Sequence, residues 1–317
     1  MIRKVITYSL LFTSILYIYR EFLYVGVRKN KLGIFNKYNE LFLEKNKNYN
    51  ALFLGSSRAE MHFHPKIFDT ITGLNSFNLG ISGASPRISY SMLKTYCSRH
   101  QTPKYIVLNI DYFSLKSDLD MLNDFPRYFP YLSNKFLKRE LYNMDNRFNS
   151  FYYNPIHSLP YTQFEFLSAS LHGWLNIYGR YDTLMYKGFQ TTESNEVSHI
   201  EQPVPKYSFI SIKNRKYIDS IILFAKEKNI NLVLITAPVF GRGLKNVTNK
   251  SILTRQLDHI AFINHIKYID YSDSLKFDNP LFFADNEHLN LKGASEFSKS
   301  FSFTFNTIFP RKALFNK

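Results

Sequence analysis

The residues Ala51-Leu-Phe-Leu-Gly-Ser-Ser-Arg58 decide the fold class, because four apolar residues run directly into a glycine and two serines. A short, wholly apolar run is typical of a strand that is buried on both faces of a parallel sheet. Glycine permits a sharp turn after the strand, and a serine in that turn meets backbone N–H groups and the positive end of the following helix. The segment therefore predicts a strand, a turn and a helix, with Ser57 as a candidate nucleophile. In many proteins without catalysis, the serine of such a turn only caps the helix.

Short apolar runs alternate with longer segments of helical periodicity on both sides of this turn. Such alternation favours right-handed crossovers and a three-layer α/β/α sandwich around a mostly parallel five-stranded sheet. In these sheets, reactive groups collect at the carboxyl ends of the strands. The predicted strands are 51–54, 76–79, 105–110, 232–236 and 266–271, and the predicted helices are 86–99, 212–228, 250–264 and 292–306.

The alternation stops between about residues 114 and 207, where Tyr, Phe, Pro and Asn crowd the sequence. Two examples are Phe125-Pro-Arg-Tyr-Phe-Pro-Tyr131 and Phe151-Tyr-Tyr-Asn-Pro155. A linker would be less apolar, so we expect an inserted, partly helical subdomain that caps the site. Its aromatic side chains could stack on sugar rings or face a membrane partner, although aromatic residues more often build a protein core.

The N-terminal segment has the pattern of a signal anchor. Two basic residues precede an uncharged stretch, Val5–Tyr19, and a second apolar run, Phe22–Val27, follows Arg20-Glu21. The first run is shorter than the ~20 residues that span a bilayer, but snorkelling of Arg20 would extend it toward Val27. No small-residue cleavage site follows, so residues 1–27 are predicted to be a retained membrane anchor. A buried or surface amphipathic helix is the alternative.

Charge does not define the orientation of this segment. Four basic residues on its C-terminal side, Arg20, Arg28, Lys29 and Lys31, outnumber Arg3 and Lys4, so the positive-inside rule does not favour export of the remaining chain. The predicted organisation is an anchor over residues 1–27, a helical stalk over 28–49, an α/β domain formed by 50–113 and 208–310, and the inserted cap over 114–207.

The composition excludes several classes of protein. With 317 residues, 45% of them hydrophobic, the chain can bury a large core and is too apolar to be disordered. The net charge of +15 is spread along the chain, and no recognition motif follows a basic helix, so no nucleic-acid partner is predicted. The charge leaves open a structural role on anionic membrane surfaces. The single cysteine, Cys97, excludes an intramolecular disulfide and a cysteine-based zinc site, and we expect it to be inert.

The segment Asp285-Asn-Glu-His288 near the C-terminus supplies a candidate base. An aspartate and a histidine three residues apart in one turn can place the carboxylate against one imidazole nitrogen, which leaves the other free to accept a serine proton. An exposed Asp-His turn with Asn290 as the cap of the next helix is the non-catalytic alternative.

These residues together resemble the SGNH (GDSL-like) hydrolase superfamily, in particular its membrane-anchored branch linked to acylation of cell-envelope polysaccharides. The resemblance covers about residues 50–112 and 208–306. Gly55-Ser-Ser57 looks like the first family block, Asn78-Leu-Gly-Ile-Ser-Gly-Ala-Ser85 like the second, and Asp285-x-x-His288 like the last. The resemblance implies an SGNH/flavodoxin-like fold, a triad of Ser57, His288 and Asp285, an oxyanion hole from the backbone amides of Ser57 and Gly83, and no metal or organic cofactor.

The sequence departs from the family at the third block, where Gly-x-Asn-Asp usually supplies a side-chain oxyanion donor. Here the strand leads into Asn109-Ile-Asp111-Tyr112. Asn109 is expected to lie within the strand, and an ionised Asp111 would repel an oxyanion, so Tyr112 or the insertion would have to donate instead. Asp111 and Tyr112 are weaker candidates for substrate binding. Arg58 is another, although it could equally pair with a structural carboxylate.

His62 and His64 could form a metal pair with His288, but the spacing offers no third ligand, and no metal is predicted. The expected function is therefore a membrane-anchored, extracytoplasmic serine acyl esterase or O-acyltransferase that acts on envelope polysaccharide. Its expected partners are an acylated polysaccharide or another acyl donor, the membrane and, as a further possibility, a membrane-bound acyltransferase. The alternative is a non-catalytic SGNH-like module that binds glycan or docks on such an acyltransferase.

Overall fold

The computed structural model describes residues 1–116, 122, 124–148, 150, 155–161, 164–177, 184–194 and 206–310. It divides into two compact units, one formed by residues 46–119 and 182–317 and the other by residues 1–45 and 120–181. The strands are β1 (Ala51–Leu54), β2 (Ser76–Asn78), β3 (Tyr105–Asn109), β4 (Met185–Tyr186), β5 (Phe189–Gln190), β6 (Asn231–Thr236) and β7 (Lys267–Asp270). The helices are α1 (Ile2–Lys29), α2 (Gly33–Phe42), α3 (Ser57–His62), α4 (Pro65–Thr72), α5 (Pro86–Cys97), α6 (Tyr112–Lys116), α7 (Lys135–Met144), α8 (Phe164–Leu175), α9 (Ile212–Glu227), α10 (Gly241–Leu244), α11 (Lys250–Ile263) and α12 (Leu291–Ile308).

The larger unit is built on a five-stranded sheet in the order β2-β1-β3-β6-β7, and every pair of neighbouring strands is parallel. All four residues of β1 are buried, as expected for a strand covered on both faces. The predicted α/β class with a mostly parallel five-stranded sheet is confirmed. Strands β4 and β5 form a separate antiparallel hairpin.

The strand order sets the position of the site. The chain leaves β1 for β2 on one side and then returns to β3 on the other, so the topology switches between β1 and β3. In open parallel sheets, ligands bind outside the carboxyl ends of the strands at such a switch. Leu54 pairs with Leu108, so the segments that follow these two strands leave the sheet side by side.

An aromatic core attaches the last helix to the first strand. Three phenylalanines at four-residue spacing on α12, Phe297, Phe301 and Phe305, are buried in the same cluster as Phe53 of β1. This spacing places them on one helix face. Full burial of each ring contributes about 1.5–3 kcal/mol. The core therefore fixes α12, and with it the loop that precedes α12, against the sheet.

The smaller unit combines the N-terminal helices with the middle of the chain. Helix α1 packs along α8, and α2 lies within residues 28–49, the segment predicted as a helical stalk. The segment predicted as one insertion, residues 114–207, is divided between the two units, and the β4–β5 hairpin belongs to the larger one. Residues 151–154 and 195–205 of that segment lie outside the described residues.

Helix α1 has the length and composition of a membrane span. It contains 28 residues with a mean hydropathy of 1.4 in its most apolar part, and it is the one such helix within the described ranges. Its position near the N-terminus suits either a membrane anchor or a signal sequence. Most of its length is exposed, whereas Leu23, Tyr24, Gly26 and Val27 are buried.

Candidate active site

The turn after β1 positions the predicted nucleophile. Gly55 has a φ of +141°, and a Cβ at this position would lie 2.6 Å from the Asn109 carbonyl oxygen. Only glycine therefore fits between β1 and β3 here. Ser56 occupies the N-cap of α3 and accepts a hydrogen bond from the Arg58 amide, which leaves Ser57 as the first residue of the helix.

The side chains of Ser57, His288 and Asp285 are linked by two successive hydrogen bonds. The Ser57 Oγ is 2.7 Å from His288 Nε2, and His288 Nδ1 is 2.8 Å from Asp285 Oδ2. With the proton on Nδ1, the ring donates to the carboxylate and accepts at Nε2 from the serine hydroxyl. The structure thus brings the three predicted residues together in the geometry that a nucleophile, a base and an orienting carboxylate require.

The Asp285 carboxylate is fixed by the backbone of its own turn. Its Oδ1 accepts hydrogen bonds from the amides of Glu287 and His288, at 2.7 and 2.8 Å. Burial raises the pKa of this carboxyl, but the hydrogen bond and charge of His288 and these two amides outweigh it and hold the pKa below its ordinary value. Asp285 therefore stays ionised and keeps the His288 ring in one orientation.

His62 supports the loop behind the candidate base. Its Nε2 accepts the Leu289 amide at 3.0 Å, and its ring stands edge-on to the His288 ring. Burial, with smaller contributions from His288 and Arg58, lowers the pKa of His62 well below its ordinary value, so the ring is neutral. His64 is stacked on Phe189 instead. No group of three potential metal ligands occurs among the residues that the structure describes.

Arg58 pairs with carboxylates of the protein. Its Nη1 lies 3.3 Å from Asp111 Oδ1, and its Nη2 lies 3.4 Å from Glu287 Oε2. Arg58 and Asp111 are both buried. Of the two roles that the sequence left open for Arg58, these contacts favour the structural one. The Arg58 Nε has no hydrogen-bond partner in the described part of the chain.

Asn109 and Asp111, in the segment that corresponds to the third family block, make hydrogen bonds and an ion pair within the fold. Asn109 is the last residue of β3, as expected, and its Nδ2 donates to Asp111 Oδ1 at 3.0 Å while its Oδ1 accepts the Ala237 amide. Ser56 Oγ donates to the other oxygen of Asp111. The Asp111 charge is thus offset by Arg58 and shared by two further donors, so the expectation that it acts on the substrate or repels an oxyanion has no support in its contacts.

The sequence left Tyr112 or the insertion as a replacement for the missing oxyanion donor, and the contacts of Tyr112 favour a structural role for its hydroxyl. Its hydroxyl lies among Thr254, Asp270 and Ser272 and donates to Asp270 at 3.1 Å. Burial, followed by the Asp270 charge, raises the pKa of Tyr112 to about 12. The phenol therefore ties α6 to β7 and α11.

The loop that carries Gly83 is attached to the nucleophile turn. The Ile81 amide donates to the Gly55 carbonyl at 3.0 Å, and Ala84 closes a turn onto Ile81. Asn78 braces the same region, since its Nδ2 donates to the carbonyls of Ala59 and Phe63. The predicted oxyanion residues thus lie on two segments that are tied together.

Several supporting residues were not predicted from sequence, namely Ser56, Asn78 and Glu287, and His62 was considered only as a metal ligand. A polar residue that is buried beside a candidate site normally has a partner there. For Asn78, the apolar neighbours Phe77 and Leu79 are a signal that could have indicated burial.

Comparison with known proteins gives little further information. No family model and no curated protein matches the chain. One similar solved structure is a protein of Bacteroides fragilis NCTC 9343, described provisionally as an acylhydrolase, at 14% identity and a TM-score of 0.40 over 85% of this chain and 92% of that one. Another is a protein of Streptococcus pneumonia whose description names platelet activating factor, at 14% identity and a TM-score of 0.41 over 94% and 98% of the two chains. Such low similarity carries no argument about the activity of this chain.

Proposed function

We propose that the chain is a serine acyl esterase or O-acyltransferase, attached to a membrane by α1, that acts on acylated envelope polysaccharide. The observation that carries this proposal is the contact of 2.7 Å between Ser57 Oγ and His288 Nε2, with Asp285 on the far side of the ring. Ser57 and His288 lie 231 positions apart in the sequence. They meet at the carboxyl edge of the sheet, where ligands of this fold class bind.

The reaction proceeds through an acyl-enzyme. Ser57 Oγ attacks the carbonyl carbon of the ester while His288 Nε2 takes the hydroxyl proton, and the oxyanion is held by the backbone amides of Ser57 and Gly83. The C–O bond to the leaving alcohol then breaks, and His288 returns the proton to that alcohol. Attack of water on the acyl-serine gives hydrolysis, whereas attack of a sugar hydroxyl gives transfer.

The membrane attachment and the polysaccharide substrate rest on different arguments. Attachment is supported by the exposed apolar surface of α1 over its first eighteen residues after Met1. The polysaccharide follows from the resemblance of three sequence blocks to the SGNH branch that modifies envelope polymers. An extracytoplasmic location for the larger unit follows from that resemblance as well.

Labelling with a fluorescent fluorophosphonate tests the catalytic part. We expect the purified full chain to label, Ser57→Ala to abolish labelling, and His288→Ala to slow it at least about 10³-fold, because the serine is then not activated. Matched controls are Ser251→Ala and His259→Ala, since both residues are exposed on α11. Failure of the wild-type chain to label, with a native circular dichroism spectrum, would rule out the enzyme.

A non-catalytic glycan-binding or acyltransferase-docking module is the second candidate. It is favoured by the third block, because both ends of the Asn109 amide are engaged within the fold and the Tyr112 hydroxyl faces Asp270. Loss of one oxyanion donor typically costs ~10²–10³ in rate. This candidate would be supported if the wild-type chain does not react with the fluorophosphonate and binds acylated polysaccharide with the same affinity as Ser57→Ala.

A further inference from the structure

Helix α8 has an apolar face that is open to its surroundings. Phe164, Leu167, Leu171, Trp174 and Leu175 recur at the spacing of a single helix face, and all are exposed, Leu175 to 66%. The helix contains Glu165 and His172 but no lysine or arginine. A contiguous apolar patch of this kind marks a site that a partner or a lipid surface covers.

This face is continuous with the apolar surface of α1. The rings of Phe22 and Trp174 stack with their centroids 5.5 Å apart, and Trp174 Nε1 donates to the Phe22 carbonyl at 3.0 Å. The residues of α1 before Phe22 are exposed, except for the half-buried Leu16 and Arg20, and most of them are apolar. The exposed side chains of α8 therefore extend the surface of the candidate membrane span.

The two helices are held closely and run in opposite directions. A Cβ on Gly173 would lie 1.9 Å from the Gly26 carbonyl oxygen, so only glycine allows this approach. Asn30 Nδ2 donates to the Ala169 carbonyl at 2.9 Å, one turn further along both helices. The C-terminal end of α8 therefore points toward the apolar, N-terminal part of α1.

The rise per residue of an α-helix gives the depth at which the C-terminal end of α8 lies relative to a bilayer spanned by α1. At 1.5 Å per residue, the stretch from Val5 to Phe22 is about 26 Å long, close to the ~30 Å of a hydrocarbon core. Phe22, and Trp174 beside it, then lie at the boundary between acyl chains and headgroups. Tryptophan is enriched at this depth. The Lys29 ammonium, 3.8 Å from the Trp174 ring centroid, is placed to meet lipid phosphates.

We propose that the C-terminal end of α8 enters the bilayer interface beside α1, with Leu171, Trp174 and Leu175 in contact with lipid. The smaller unit then holds the membrane through two helices. This proposal rests on the proposed attachment through α1 and is independent of esterase activity. A protein partner on the same face is the competing occupant.

The fluorescence of Trp174 tests the proposal directly, because it is the only tryptophan of the chain. The full chain is reconstituted into phosphatidylcholine vesicles that carry a doxyl quencher either near the glycerol end or near the methyl end of the acyl chains. We expect several-fold stronger quenching by the shallow label and little quenching by aqueous iodide. Flotation of the protein with the vesicles checks attachment through α1 separately.

A matched variant moves the probe along the same helix. In Trp174→Phe/Phe164→Trp, the indole lies ten residues, or about 15 Å, nearer the N-terminal end of α8. Because this end points away from the apolar part of α1, we expect lipid quenching to fall and iodide quenching to rise. Quenching of Trp174 by iodide in protein that floats with the vesicles overturns the proposal. Quenching by neither the doxyl lipids nor iodide also overturns it, because it indicates that protein covers Trp174. Failure to float overturns the attachment as well, whereas failure of fluorophosphonate labelling bears only on the catalytic proposal.

Discussion

Arg58 and Asp111 form a buried ion pair beside the candidate nucleophile, and breaking this pair should lower the stability of the fold. Arg58→Met leaves the Asp111 carboxylate buried without its cationic partner, and we expect a loss of about 3–5 kcal/mol in the free energy of unfolding. Urea unfolding followed by circular dichroism measures this loss. Labelling of Ser57 should weaken too, because Ser56 and Asp111 share a hydrogen bond next to it.

The double variant Arg58→Met/Asp111→Asn separates charge from packing. Asparagine removes the charge; its Oδ1 can still accept from Asn109, and its Nδ2 can donate to the Ser56 hydroxyl, so we expect the double variant to recover a large part of the lost stability. If it unfolds as easily as Arg58→Met alone, the arginine contributes through its packing rather than by neutralising Asp111.

Cys97 gives a prediction with a defined pH dependence. Burial raises the pKa of its thiol from 9.0 to about 12, although Lys228 opposes this shift. The thiolate is the reactive form, so alkylation by iodoacetamide near neutral pH should be slowed by about 10³ in the folded chain relative to the unfolded one. The rate should increase tenfold per pH unit until the native protein unfolds. Equal rates in native and denatured protein would contradict the burial of this thiol.

Residue patterns singled out the three residues of the proposed triad, which the structure brings together, but not the side chains around them. Ser57, His288 and Asp285 were recognisable because their types and local spacing are those of known chemistry. The roles of Arg58, Ser56 and His62 depend on which side chains face them across the sheet edge. Those partners lie 53 to 229 positions away along the chain. Local spacing carries no information about contacts of this kind.

The N-terminal end of α12 lies next to the candidate site in the sequence. Asn290 Oδ1 accepts the Gly293 amide, which caps the helix, and Asn290 Nδ2 donates to the Leu281 carbonyl. Asn290→Ala should cost about 1–2 kcal/mol in the free energy of unfolding. Because His288 lies two residues earlier in the same loop, labelling of Ser57 should slow as well.

A cap elsewhere in the larger unit provides the control. Ser211 caps α9 by accepting the Asn214 amide at 3.1 Å. Ser211→Ala should lower the free energy of unfolding to a similar extent and leave labelling of Ser57 unchanged. If both variants label equally, the α12 cap supports the helix without positioning His288.

The five strands of the parallel sheet and the four longest helices of the larger unit were predicted to within two residues at each end. Strands such as β1 and β3 are apolar throughout, and helices such as α9 and α11 are long enough to show their period. Helices α3 and α4, of six and eight residues, are too short for this signal. The division of residues 114–207 between two units was not predictable, because it depends on contacts between α8 and α1 across more than 130 positions.

At the scale of the whole molecule, the smaller unit differs from a simple anchor with a stalk. Residues 2–19 of α1 are exposed along almost their whole length, whereas Leu23, Tyr24 and Val27 are buried. Burial of each of these three side chains contributes about 1.5–3 kcal/mol. The first part of α1 is thus available to a bilayer, and the second is part of the folded unit.

Two truncations should therefore behave differently. Removal of residues 2–19 should leave a folded chain that alkaline carbonate extracts from membranes, because α8 alone supplies only a surface contact, while the full chain resists extraction. Removal of residues 2–29 should lower the thermal unfolding midpoint and cause aggregation, since it exposes the face of α8 that packs against Phe22 and Gly26. Carbonate extraction, size-exclusion chromatography and thermal unfolding distinguish these outcomes. Extraction of the full chain would contradict the span, and equal stability of the two truncations would mean that the end of α1 contributes nothing to the fold.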